Sequence, residues 1–184
     1  MLRIFVITLS LTLLAGAVRG ESLILNKPLP TLSIDDRGEL LLENDEYSYR
    51  PWTSKTNPPE VHVLQYFPGT KAGSKTFEPF TDMLQKEFSH RSYHVTTIIN
   101  LDAALWGTSG FVTGEAKASK KQYPASTMVL DEDGSGKATW ELGNKGAVLV
   151  VMDKEGYVIY LSHKSMSEQD INATIVLMRD RIQS

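Results

Sequence analysis

VHVLQYF, residues 61–67, runs straight into Pro68-Gly69-Thr70-Lys71-Ala72-Gly73-Ser74. The run is short, apolar apart from His62 and Gln65, and closed by Pro and Gly, which predicts a buried strand. Beyond the loop, Phe77, Phe80, Leu84 and Phe88 recur at spacings of three and four, one stripe of a helix. Pro79 falls inside that stripe, so the helix either begins near it or is kinked there. A strand feeding a loop that opens a helix is the unit of an α/β domain. Sites form at the carboxyl end of such strands. Here the junction holds no Cys, no His and no acid, so it is informative about fold rather than chemistry.

The remaining segments fall into alternating elements. HVTTIIN, residues 94–100, is β-branched and predicts a second strand. Gly107, Gly110 and Gly114 predict a loop, and residues 115–123 a short basic helix. Residues 125–130 predict a third strand, 131–136 a turn, and 137–142 a segment returning from it. GAVLVVM, residues 146–152, is nearly all apolar, the mark of a strand buried on both faces. Asp153-Lys154-Glu155-Gly156 turns it into an antiparallel partner at 157–161. Ser167, with Asp170 three residues on, caps a last helix whose buried stripe is Ile171, Ile175, Met178 and Ile182. Upstream, Asp35-Asp36-Arg37-Gly38 is a turn signature and predicts a hairpin joining 29–34 to 39–42. Tyr47, Tyr49 and Trp52 then pack that extension onto the domain, and 55–60, with Pro58-Pro59, connects it to the first central strand. The order predicts an α/β domain with a central mixed sheet, helices on both faces and an N-terminal β-hairpin extension.

Composition bounds the function. The chain has 184 residues, one domain's worth, with 41% hydrophobic and 22% charged residues. Its formal charge of −3 excludes a general nucleic-acid surface. Residues 1–20 have their own character: Arg3, an apolar run at 4–14, then Ala15-Gly16-Ala17. That is the layout of a secretory signal peptide, cleaved after Ala17 or after Gly20, and too short to span a bilayer. Residues 21–184 then form a single domain with 17 basic and 22 acidic residues. No stable membrane insertion is expected of it. Cysteine is absent altogether. An exported chain without cysteine builds no disulfide and performs no thiol exchange or thiolate peroxide reduction.

Candidate chemistry is sparse. Thr70, Ser74 and Lys71 among glycines ahead of a helix offer an anion-attracting loop, but the Gly-Lys-Ser/Thr ending of a P-loop is absent. Asp131-x-Asp133-Gly134-Ser135 opens like a calcium loop, yet its twelfth position is Leu142 instead of Glu, which leaves a plain turn. His90 and His94 stand four apart, the spacing of a metal pair on a helix, but His94 opens a strand. His62 and His163 have no evident partner in the sequence. No metal site and no cofactor is read.

Strand, loop, helix, strand, helix, glycine-turn hairpin and closing helix is similar to the thioredoxin fold. Four stretches resemble the YtfJ family of small exported bacterial proteins. They are Asp36-Arg37-Gly38-Glu39-Leu40 with Tyr47-Ser48-Tyr49 and Trp52, Val63-Leu64-Gln65, TTIIN at 96–100, and Lys120-Lys121 with Tyr123-Pro124. VVMDKEG at 150–156 and the helix after it fit as well. The resemblance implies a thioredoxin-like fold and a periplasmic location in a Gram-negative bacterium, and it carries no assigned activity. It also implies two departures from active thioredoxins: Gly-Thr-Lys-Ala-Gly stands at 69–73 in place of a Cys pair, and Gly146-Ala147 in place of a cis-Pro. The expected role is binding, with another periplasmic protein as partner, in a groove between Pro68, Gly69, Thr70, Lys71 on one side and Gly146, Ala147 on the other. The alternative is non-thiol catalysis, or carriage of a small molecule or metal, on the same scaffold.

Overall fold

The computed structural model describes residues 20–55, 60–104, 107–144 and 146–184. The signal-peptide reading at 1–19 and most of the connector with Pro58-Pro59 lie outside the described residues. Seven strands form one sheet. They are β1 (Ser33–Glu43), β2 (Glu46–Thr53), β3 (Val61–Pro68), β4 (Tyr93–Asn100), β5 (Thr127–Asp131), β6 (Val148–Met152) and β7 (Val158–Ser162). Their spatial order is β2-β1-β5-β4-β3-β6-β7. β3, β4 and β5 are parallel, and the flanking strands pair antiparallel. The helices are α1 (Lys71–Ser74), α2 (Glu78–Glu87), α3 (Ser109–Gln122), α4 (Ser135–Thr139) and α5 (Glu168–Gln183).

The sheet separates two cores because successive side chains of a strand point to opposite faces. On one face Val61, Val63 and Phe67 of β3 and Leu149 and Val151 of β6 meet Phe80, Leu84, Ala116, Ile171, Ile175 and Met178 of α2, α3 and α5. On the other, Leu64, Tyr66, Ile98, Val129, Val148 and Val150 meet Trp140 together with Leu32, Ile34 and Trp52 of the N-terminal region. Pro79 sits in the first turn of α2, which settles the start of that helix. Ser167 and Asp170 form a reciprocal capping box on α5.

Three local expectations are corrected. Asp35–Gly38 does not reverse the chain: it lies inside β1, where the register slips between Ile34 and Glu39. Gly38, at φ +70, passes so close to the Arg50 carbonyl that no side chain fits there. The reversal comes at Asn44-Asp45, both with positive φ (51 and 64), the two-residue loop that matches strand twist. Asp36 spends its carboxylate elsewhere, accepting from the backbone N–H of Glu132 at 2.7 Å and of Asp133 at 3.0 Å.

The second correction is that α3 runs through Gly110 and Gly114. Each glycine costs a helix about 1 kcal/mol relative to Ala. The packed stripe of Val112, Ala116 and Lys120, four residues apart, outweighs that cost. Third, 137–142 does not return as a strand. The buried Asp131 carboxylate accepts from the backbone N–H of Ser135 at 2.8 Å and of Gly136 at 2.9 Å, which starts α4 instead.

Candidate functional site

The first central strand delivers the chain to its carboxyl end, where Gly69 crosses over β4. Gly69 N–H donates to the Asn100 carbonyl at 2.7 Å, and a Cβ on Gly69 would stand only 2.9 Å from that oxygen. Thr70 then caps α1, its Oγ1 accepting from Gly73 N–H at 3.0 Å. Both glycines and the threonine are therefore committed to shaping the turn. Lys71 is the residue that the turn presents outward.

From this turn a groove of about 1160 Å³ runs down the sheet. It lies between α2, which packs beside α5, and α3, which packs over β1 and β5. Phe67, Val95, Ile99 and Met128 lie along its apolar floor, Val95 half-buried and the other three buried. Gln65 and Thr97, neighbours in the parallel register, add a polar spot, with Gln65 Nε2 donating to Thr97 Oγ1 at 2.8 Å. The α3 wall is low, built from Val112, Ala116 and Ser119, and Phe111 stands on its rim with 69% of its surface exposed. Lys71 and Lys75 mark the upper end, His90, Tyr93 and Tyr123 the lower. Burial pushes the Tyr93 hydroxyl above its ordinary pKa.

Of the six expected groove residues, Gly69, Thr70 and Lys71 line this groove. Pro68 ends β3 beside it. Gly146 and Ala147 precede β6 at the same end of the sheet, where Gly146 faces the Lys137 side chain of α4 and lines no part of the groove. The other candidates are structural. Asp131 is fully buried and also accepts from the Tyr66 hydroxyl at 2.8 Å, which itself accepts from Lys137 N–H at 3.0 Å. Desolvation pushes both groups up in pKa. His90 lies in the turn before β4, so it does not share a helix with His94. His62, which has no evident partner in the sequence, meets two in the fold. Its Nε2 bonds Thr96 Oγ1 at 2.8 Å, and its ring stands edge-on to His94 at 5.2 Å. Burial and the neighbouring His94 lower its pKa to about 3. His94 in turn bonds Thr127 Oγ1 at 2.9 Å. Among the described residues no group of three His, Asp or Glu is placed to hold a metal ion.

The groove floor is not visible in the sequence. TTIIN at 96–100 belongs to a segment that reads as a short β-branched strand, and nothing in its pattern tells that a groove runs along it. The available signal was Gln65 and Thr97, polar residues in central strands, whose pairing becomes visible only once the register is known.

Residues 23–181 match the family described as a bacterial protein of unknown function, YtfJ_HI0045. The chain belongs to the YtfJ family. The uncharacterized protein YtfJ of Escherichia coli (strain K12) is 31% identical over 172 residues, 93% of this chain and 92% of that relative. An uncharacterized protein of Haemophilus influenzae is 31% identical over 174 residues, 91% of this chain and 95% of the relative. Among solved structures, a candidate thiol:disulfide interchange protein DsbE from Chlorobium tepidum superposes with a TM-score of 0.57 at 16% identity, covering 88% of this chain and 99% of that one. A thiol peroxidase from Chromobacterium violaceum superposes with a TM-score of 0.57 at 10% identity, over 88% of this chain and 89% of its own. At these identities the likeness is one of fold. This YtfJ-family chain is thioredoxin-like, and it contains no cysteine.

Proposed function

We propose that this YtfJ-family chain is an exported periplasmic protein that acts by non-covalent binding in the groove between α2 and α3, as an accessory module instead of a thiol enzyme. The observation that carries this reading is the groove between α2 and α3, whose floor holds the half-buried Val95 and Gln65 on central strands. A concave groove with an apolar floor and a few polar groups, Gln65 and Thr97 among them, is the usual form of a binding site. The absence of cysteine removes thiol chemistry from the alternatives. The signal-peptide pattern at 1–20 supports export.

The test is crosslinking in intact cells, then affinity recovery of the tagged mature chain from the periplasm, done for three forms. The wild type is compared with Ser119→Trp, which fills the groove from the α3 wall, and with Val176→Trp, on the exposed side of α5. The expected result is one reproducible molecule recovered with wild type and Val176→Trp and lost with Ser119→Trp. Recovery from all three forms would contradict the groove. Retention of the chain inside the spheroplast would contradict export.

A further inference from the structure

Resting on the export proposed above, we infer that the leader is removed after Gly20 and that the amino group so freed on Glu21 docks at the carboxyl end of α4, on the Thr139 carbonyl and the Glu141 carboxylate.

The sequence leaves two cleavage points open, Ala15-x-Ala17 and Val18-x-Gly20. The contacts around Glu21 favour the second. Glu21 N–H donates to the Thr139 carbonyl at 2.8 Å, Ser22 Oγ donates to Glu141 Oε2 at 2.6 Å, and Leu23 is buried. Thr139 is the last residue of α4, where a carbonyl finds no partner inside its own helix. Gly20 lies among the same acceptors. A Cβ built on it would stand 3.0 Å from the Ala138 carbonyl oxygen, 3.0 Å from Glu141 Oε1 and 2.7 Å from Glu141 Cγ. Gly20 has no charge to offer these oxygens. In the precursor Glu21 presents them with one amide N–H. As the first residue of the mature chain it presents an ammonium, and hydrogen bonds from a charged donor are the stronger kind.

Glu141 carries the second observation. Its φ is +51, a left-handed conformation at a helix end where Gly or Asn is usual. A side chain with a Cβ is strained there. The carboxylate held in this way reaches back over residues 20–22. The other charged groups at this place are the carboxylate of Glu21 itself, which adds to the attraction for an ammonium, and Lys27, which shares a surface hollow with Glu21 and Ser22. Cleavage after Ala17 would put the ammonium three residues upstream and leave Glu141 facing a neutral amide. Processing after Gly20 therefore adds to the mature chain an ion pair that the precursor lacks.

The experiment is N-terminal sequencing of the chain recovered from the periplasm, followed by NMR titration of its α-amino group after reductive methylation with labelled formaldehyde. The expected first residue is Glu21, and Ala17→Leu should leave that start unchanged. The α-amino group should titrate at least about half a pH unit above the ordinary range of about 7.7–8.0. Glu141→Gln, at an exposed position, keeps an acceptor for Ser22 but removes the charge, and the midpoint should return to that range. A chain that starts at Val18 leaves export standing and overturns this inference. A start at Glu21 with an ordinary midpoint, or a raised midpoint that survives Glu141→Gln, overturns the docking. A chain retained inside the spheroplast with its leader contradicts export, and this inference with it.

Discussion

The two faces of the central sheet handle their polar groups in opposite ways. On the α4 face they are closed off. Asp131 accepts three hydrogen bonds in a fully buried position, Tyr66 both donates and accepts, and His62 and His94 each bond a threonine hydroxyl. On the α2–α3 face, Gln65 and Thr97 bond each other on the floor of an open groove. Both arrangements place polar side chains on central strands. The closed one pairs most of its buried groups, His62 Nδ1 and Asn100 Nδ2 being the exceptions among the described residues, so its loss is a loss of folding energy. The open one costs little to keep and leaves Gln65 and Val95 half-buried beside the groove. Mutations of the same chemical kind should therefore damage stability on one face and binding on the other.

The largest effect is expected at Trp140, which is fully buried, donates its Nε1–H to the Pro30 carbonyl at 3.0 Å and stands edge-on to Tyr66 at 6.2 Å. Trp140→Ala should cost about 4 kcal/mol in urea unfolding through the cavity it leaves. Next comes Asp131→Ala, which strands the Tyr66 hydroxyl and the Ser135 and Gly136 amides. It should cost about 3 kcal/mol by the same measurement. A loss below about 1 kcal/mol in either would remove the basis for calling this face the structural one.

The pH dependence sharpens the same contrast. His62 is neutral in the fold, with its pKa lowered from 6.5 to about 3, and takes a proton on unfolding. Its contribution is therefore fully present above pH 6.5 and is lost as the pH falls from there towards 3. Between pH 7 and pH 5 that amounts to about 2 kcal/mol. His94, lowered chiefly by burial, adds in the same direction. Urea unfolding across this range should slope down for wild type and flatten for His62→Gln. The smallest effect belongs to the open face. Gln65→Leu/Thr97→Val replaces both partners by apolar groups of similar shape and should change stability by less than about 1 kcal/mol. It should nevertheless alter whatever the groove binds.

Much of the architecture could be read in the residues. The apolar runs at 61–67 and 146–152 are strands because only a sheet interior buries them on both sides, and the Ser167–Asp170 cap marks α5 by local chemistry alone. The misplaced hairpin shows where local reading ends. Asp35–Gly38 carries turn residues, but Gly38 uses its positive φ for an irregularity in β1, and Asp36 holds a loop 96 residues away. α4 was hidden for a related reason, since its nucleating acceptor is a buried carboxylate in the preceding strand. The groove is legible only in part. Gly69, Thr70 and Lys71 stand out because they form the loop at the carboxyl end of a central strand. The floor depends instead on how α2 and α3 pack over the sheet, and no residue of β4 encodes that.

The sharpest test of the division between the faces is site-specific photocrosslinking in living cells. A benzoylphenylalanine replaces Phe111 on the groove rim in one strain and Val176 on the exposed side of α5 in another, both at positions more than half exposed. A discrete adduct is expected from position 111, disappearing when Ser119→Trp is added, and none from position 176. Equal labelling from both positions, or an adduct at 111 that survives the filled groove, would contradict the assignment of binding to the open face.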